Sequence, residues 1–403
     1  MMLKAKQFIL ILCVIFSSFL KAQEVSDTKF GKGMINFIAK DSSFSVKFAP
    51  RIQSRYQGQW DYDGEEYDEA NLNFIVRRAR LKFGGFAFTP KLKYKMELGL
   101  SNRDISGASI YNRNTPRYIL DAVIMWNFHE NFELWAGQTK LPGNIERVVS
   151  SANLQLIDRS LLNSKFNIDR DMGVQLRHKT KWGGNFITRE KFSISQGEGR
   201  NITVGNLGGL QYTSRLELLP FGEFSSKGDY SQGDLKREKS IKAMFGFTYD
   251  INNNAVKNRS NMGSYMTQSN GGLFETDIST VFIDGVIKYN GFALTGEYAS
   301  RNADTIEALE ADGRTKTGAV VGAGSAINFQ GSYLLKNNLE MTLRYTNVDF
   351  KEVTRLSDLQ QITYGISKYV VGHSLKIQAD LTFSQSDATR DYVLFRTGFD
   401  LHF

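Results

Sequence analysis

Lys91-Leu92-Lys93-Tyr94-Lys95-Met96-Glu97-Leu98-Gly99-Leu100-Ser101 decides the architecture of this chain. Leu92, Tyr94, Met96, Leu98 and Leu100 share one side, and Lys91, Lys93, Lys95, Glu97 and Gly99 share the other. A strand points successive side chains to opposite faces, so this period of two gives one apolar and one polar face. A helix over the same residues would scatter its apolar groups around the axis. Working outward, Phe44, Val46, Phe48, Ile52 and Tyr56 alternate with Lys47, Arg51, Gln53, Arg55 and Gln57. Near the other end, Leu375, Ile377, Ala379, Leu381 and Phe383 alternate with Lys376, Gln378, Asp380, Thr382 and Ser384.

About sixteen segments fit this template. They lie near 43–60, 72–88, 91–101, 117–128, 131–139, 171–181, 186–195, 208–219, 240–250, 277–289, 291–299, 322–335, 338–349, 359–370, 373–385 and 391–403. Several exceed the ~5–6 residues usual in soluble sheets. They match the ~9–11 residues a tilted strand needs to cross a bilayer. The connections alternate in length, as in an outer-membrane barrel with short periplasmic turns and long external loops. Asp61–Asn71, 102–116, 140–170, 251–276 and 300–321 are long, whereas Thr89-Pro90, Glu130, Asn290, Lys336-Asn337 and Val371-Gly372 are short. Pro220–Lys239 breaks the rule, being long where a turn is expected. The expected fold is therefore all-β: a transmembrane antiparallel up-and-down barrel. Such a ring leaves no unpaired edge in lipid.

Composition agrees. The 403 residues include 5 Pro and 36 Gly, with 12% aromatics, which suits uninterrupted ladders joined by turns. A mean hydropathy of −0.33 argues against a helical membrane protein. The one long apolar run, near Phe8–Leu20, falls short of the ~20 residues of a spanning helix. It follows Lys4 and Lys6 and precedes Lys21-Ala22, so residues 1–22 are expected to be a secretory signal peptide. Residues 23–42 then form a periplasmic N-terminal segment, and 43–403 the barrel. Cys13, the only cysteine, falls inside the signal, so no disulfide scaffold is expected. Loss of Lys4, Lys6 and Lys21 with no acid lowers the net charge from +8 to +5. That mild balance, without helical or stacking motifs, gives no ground for nucleic-acid binding.

The last strand carries Phe395, Phe399, Leu401 and Phe403 on one face and ends on the aromatic. Phe399, Leu401 and Phe403 resemble the terminal signal by which bacterial outer-membrane barrels are handed to their assembly machinery. Arg77-Arg78-Ala79-Arg80-Leu81-Lys82-Phe83 and Leu120-Asp121-Ala122 through Gly137-Gln138-Thr139-Lys140-Leu141-Pro142 add to this. So do Glu146-Arg147 through Ile157-Asp158-Arg159-Ser160, Asp169-Arg170-Asp171-Met172-Gly173-Val174, and Tyr212-Thr213-Ser214-Arg215 through Pro220-Phe221-Gly222. In order and spacing these segments resemble the phosphate-selective porin O and P family of Bacteroidetes-type bacteria. The resemblance runs over the mature chain and is densest over 74–222. It implies a bacterial outer-membrane location, a sixteen-stranded and usually trimeric barrel, and a pore favouring phosphate or other small anions.

If the apolar face meets lipid, the other lines the lumen. Lys47, Arg51 and Arg55 then point inward from the first strand, Arg78, Arg80 and Lys82 from the second, and Lys91, Lys93 and Lys95 from the third. Glu97 alone opposes these nine, and Arg77 is expected to face outward. Arg/Lys rings favour anions in a pore, and Arg meets phosphate with a planar pair of donors. The segment 140–170 is the candidate for a loop folded into the pore, with Glu146, Arg147, Asp158 and Arg159 near a constriction; an external loop is the alternative. The acidic run Asp61–Glu69 lacks the spacing of a known calcium loop and is read as solvated or bridging lipopolysaccharide. His129, His178, His373 and His402 are scattered, and no phosphate-binding loop or nucleophile motif occurs, so no catalytic residue, metal or cofactor is expected. The expected function is passive diffusion of small anions across the outer membrane, with lipid, lipopolysaccharide and the assembly machinery as partners. The alternatives are a non-selective diffusion porin and a surface-binding barrel without a large open channel. A conductance measurement separates the last of these.

Overall fold

Alternation of apolar and polar residues builds one closed wall. The computed structural model describes residues 30–403; the expected signal peptide lies outside these. A short hairpin of β1 (Ile35–Ile38) and β2 (Ser45–Phe48) precedes the ring. Then come β3 (Arg51–Tyr62), β4 (Asn71–Ala87), β5 (Thr89–Gly99), the short helix α1 (Asn102–Ile105), β6 (Ile119–His129) and β7 (Phe132–Lys140). Two short helices, α2 (Ile145–Val148) and α3 (Leu161–Phe166), separate β7 from β8 (Arg170–Lys181). The wall continues through β9 (Ile187–Ser195), β10 (Gln211–Leu219) and β11 (Lys242–Ala255). A loop hairpin, β12 (Lys257–Arg259) with β13 (Met262–Tyr265), precedes β14 (Thr276–Tyr289) and β15 (Phe292–Ala303). Another, β16 (Glu307–Leu309) with β17 (Lys316–Val320), precedes β18 (Gly324–Leu334), β19 (Leu339–Phe350), β20 (Leu359–Val371), β21 (Leu375–Ser386) and β22 (Asp391–His402). Each wall strand pairs antiparallel with its neighbours, and β22 closes on β3 from Asp391↔Tyr62 to His402↔Arg51. Sixteen strands thus form a closed antiparallel barrel.

The wall is apolar outside and polar inside. On β19, Met341 and Leu343 are exposed, whereas Glu340, Thr342, Arg344 and Thr346 are buried. This inversion of a soluble protein follows from lipid as the outer solvent. Some inward positions are nevertheless apolar. Phe282, Ala299, Ala326 and Val348 seat Leu141, Leu162, Phe166 and Ile168 of the segment between β7 and β8.

Two sequence expectations need correction. The first predicted strand, 43–60, is divided at Ala49-Pro50 into β2 and β3. Proline offers no N–H to a ladder. β2 pairs with the lower end of β4 through Phe48↔Phe83, while β3 pairs higher, through Arg51↔Arg80. Lys47 therefore belongs to β2, where it pairs beside Gly84 of β4 and is exposed. The second correction concerns Arg77. Gln53 pairs with Arg78 but Ser54 with Val76, so Arg77 is the extra residue of a β-bulge. The bulge lets Arg77 and Arg78 both be buried inside, where strict alternation puts Arg77 outside.

Turns at one end are tight. Asn290 and Gly291 have φ of 46° and 91°, the left-handed pair of a two-residue hairpin that asparagine and glycine tolerate best. The exception seen in the sequence is real: residues 220–241, between β10 and β11, form a long folded connection at this same end.

Candidate functional site

The segment between β7 and β8 lies inside the ring. A chain placed there must find partners for its backbone groups, and wall side chains supply them. Ile145 N donates to Asp284 at 3.1 Å and Glu146 N to Glu297 at 2.6 Å. Ile157 N donates to Asp380 at 3.1 Å. Lys376 Nζ donates to Ala152 O and Leu154 O at 2.9 and 2.6 Å, and Arg301 Nη2 to Phe166 O at 2.5 Å. The loop thus hugs the wall from β14 round to β21, and reaches β3 through Arg51 Nη1 to Ser151 Oγ at 2.6 Å.

At its inner edge Asp158 meets a cluster of arginines. Arg77 Nη2 lies 2.5 Å away, Arg78 3.4 Å and Arg396 3.7 Å, and Arg55 donates as well. Burial would push the Asp158 carboxyl up, but Arg77, Arg78, Arg396 and Arg55 hold it well below the usual carboxylate range. Asp380 shares Arg396 at 2.6 Å, and Arg344 donates to Asp158 O at 2.9 Å. Arg55 Nε is buried and finds no hydrogen-bond partner among the described residues. Positive charge therefore exceeds negative charge here. Planar guanidinium donors suit two-point contact with an oxyanion.

The other named residues are distributed unevenly. Arg51 pairs with Asp400 at 2.6 Å, Arg80 with Asp104 at 2.8 Å and Glu97 at 3.1 Å, and Lys95 with Asp121 at 2.6 Å. Lys82 stands 4.0 Å from Glu97. Lys91 and Lys93 are exposed at the short-turn end. Glu97 is thus not the sole opposing acid: Asp104 and Asp158 come from loops, and Asp121 and Asp400 from the flanking strands β6 and β22. Within the loop, Glu146 accepts from Ser160 N at 3.0 Å, Arg147 binds Asp169 at 2.7 Å and Arg159 donates to Glu146 O at 2.7 Å. These three brace the loop itself, with Glu146 also 3.8 Å from Arg344 of the wall; Asp158 faces the cluster of wall arginines.

Beside the loop, along β4 to β9, lies a cavity of about 840 Å³. Arg80, Lys82, Lys140, Arg147, Arg159 and Arg177 are among its lining residues. Arg177 lies 3.6 Å from the Trp135 ring centroid. Arg189 and Lys191 on β9 also line it and were not singled out in the sequence. Their alternation with the outward Phe192 and Ile194 is the signal that would find them.

Residues 46–384 match the family described as phosphate-selective porin O and P. The chain belongs to this family. The porin's wall also resembles solved outer-membrane structures. The anion-selective porin from Comamonas acidovorans aligns with a TM-score of 0.53 and 13% identity, covering 89% of this chain and 100% of that one. The outer membrane channel DcaP of Acinetobacter baumannii gives 0.54 and 14%, covering 91% and 99%. Salmonella typhi OmpF gives 0.56 and 11%, covering 91% and 100%. At these identities the likeness is one of fold. No curated protein matches the sequence. Family and fold are those of outer-membrane channel proteins, and the porin's strands form the channel wall.

Proposed function

We propose that this porin passes small anions, inorganic phosphate among them, through a constriction made by the loop 140–170. The observation that carries this reading is the gathering of Arg55, Arg77, Arg78 and Arg396 on the single carboxylate of Asp158. A surplus of fixed positive charge in a narrow, low-dielectric passage raises the local anion concentration. Arg55, Arg78 and Arg80 act at the constriction, with Lys82 and Lys95 along the passage below it. Lys47, Lys91 and Lys93 form a basic collar that draws anions from the periplasmic side, and Arg51 serves the wall. A weaker preference, approaching general diffusion, is favoured by the pairing of Arg51, Arg80 and Lys95 with acids.

In the same reading, residues 1–22 export the chain and 23–42 stay periplasmic. Phe399, Leu401 and Phe403 address the barrel to its assembly machinery, and the outer surface meets lipid and lipopolysaccharide. The functional unit is a homotrimer, as Vibrio cholerae OmpT is described in its trimer form. Reversal potential across a planar bilayer in a KCl gradient tests the function: an anion-selective sign is expected, and a cation-selective one overturns it. Block of the chloride current by added phosphate tests the narrower specificity.

A further inference from the structure

The long connection 220–241 sits where every other connection is short, and it turns inward. Tyr230 OH donates to Glu217 Oε2 at 2.5 Å, and Lys191 Nζ donates to Tyr230 OH at 2.7 Å. Asp229 accepts from Arg189. On the opposite side, Lys288 Nζ caps the carbonyls of Gly228, Ser231 and Gly233 at 2.7, 2.6 and 2.5 Å. Arg237 reaches Leu334 O at 2.8 Å, and Gly291 N donates to Asp234 at 2.7 Å. Asp229, Gln232, Asp234 and Glu238 are all buried. A turn that only linked two strands would leave these groups in water.

The connection also docks onto the pore loop. Gln232 N donates to Asn153 O at 2.9 Å, and Gln155 N donates to Gln232 Oε1 at 2.9 Å. Beside these bonds Phe224 joins Leu219, Met244 and Val286 of the wall in one buried cluster with Ile145, Val149 and Leu154 of the loop. An apolar cluster inside a lumen excludes water, so this part of the cross-section does not conduct. The open space lies elsewhere, along β4 to β9, and Phe224, Asp229 and Tyr230 form part of its border.

We infer that the connection 220–241 is a second constricting element, which clamps the pore loop to the β10–β21 side and so determines the size limit of the passage along β4–β9. The inference rests on the channel reading. It assigns Gln232, Phe224 and Tyr230 as positioning residues that act through the loop. Asp229 and Tyr230 also occupy Arg189, Glu217 and Lys191, so the connection sets how much of the β9 charge faces the passage.

Two variants of the full chain test it. In the first, residues 222–241 are replaced by Asn-Gly, which continues the β10–β11 register through a two-residue hairpin turn. Single-channel conductance should rise about twofold or more, with entry of larger neutral sugars in liposome swelling, because a wider cross-section conducts more. Unchanged conductance and size limit in a heat-modifiable, folded barrel would overturn the inference. The second variant, Gln155→Cys with Gln232→Cys, does not depend on deleting anything. A disulfide should form on mild oxidation, seen as a mobility shift on a non-reducing gel, and oxidised and reduced channels should conduct alike. Lack of a cross-link in conducting channels would overturn the docking alone. A formed cross-link with no current from any variant would overturn the channel reading, and with it the connection's role as a size filter.

Discussion

Asp158 and Arg77 show what single residues do in this lumen. Alternation along β4 put Arg78 and Arg80 inside, but not Arg77; the mark of the extra residue is that the outward apolar positions change phase there, from Leu72, Phe74 and Val76 to Ala79, Leu81 and Phe83. The pairing with β3 places the bulge at Arg77, and the bulge brings Arg77 to Asp158 at 2.5 Å. Asp158→Asn removes the one carboxylate shared by four guanidiniums, so reversal potential in a KCl gradient should move further toward anion selectivity. The same change should lower stability on the order of 3 kcal/mol, the usual scale when a buried charge loses its partner, read as a lower temperature of heat modification. Arg55→Gln with Arg78→Gln should move the potential the other way, and an unmoved potential would place the filter elsewhere. Glu198, in the loop between β9 and β10, offers a pH test. Its Oε1 accepts from Leu207 N at 3.1 Å and Gly208 N at 3.2 Å, while its buried Oε2 has no hydrogen-bond partner among the described residues. Burial, followed by the charge of Asp171, pushes its pKa from 4.5 up to about 7. The fold favours the neutral form while the unfolded carboxyl ionises near 4.5, so the loop is most stable below that pH. Stability should fall between 4.5 and about 7 and then level off. Protease cleavage of residues 196–210 across this range should therefore increase with pH, and Glu198→Gln should flatten the profile; parallel profiles would remove Glu198 from the account.

At the scale of elements, the strands were legible and the loop contacts were not. Each of the sixteen predicted segments overlaps a wall strand, because lipid outside and water inside impose period two on the whole ring. The loop 140–170 carries no such pattern. Its seat is written in scattered wall positions: apolar Phe282 and Val348 among polar neighbours, and Gly365 on β20. A Cβ at Gly365 would lie 2.1 Å from Leu156 Cδ2, so the glycine makes room for the loop. Gly365→Val should push Leu156 off the wall and toward the passage. Lower single-channel conductance with more open-channel noise is expected from a barrel that still folds, and a wild-type trace would show that the loop accommodates the side chain elsewhere. Pro50 is a simpler case: it was visible in the sequence, but its effect, handing β4 from β3 to β2, depends on which strand lies alongside.

For the whole molecule, a closed ring makes two checks available. In mild detergent the porin should migrate as a heat-dissociable oligomer, and a monomer under all extraction conditions would count against the trimer. Heating should slow the migration of the single chain, since the barrel is more compact than its unfolded form. The amino-acid sequence by itself determined the number of strands, which face each turns to lipid, and the family, because burial in a bilayer acts on every residue of a strand and is local in period. Tertiary structure alone decided how the charge is distributed. Arg51 meets Asp400, Arg80 meets Asp104 and four arginines meet Asp158 only because the ring closes and a loop enters it. Electrostatic pairing depends on distance in space, which a count of charges along the chain does not contain. The basic stripe read from three strands is thereby divided into neutralised pairs and one arginine-rich cluster on Asp158.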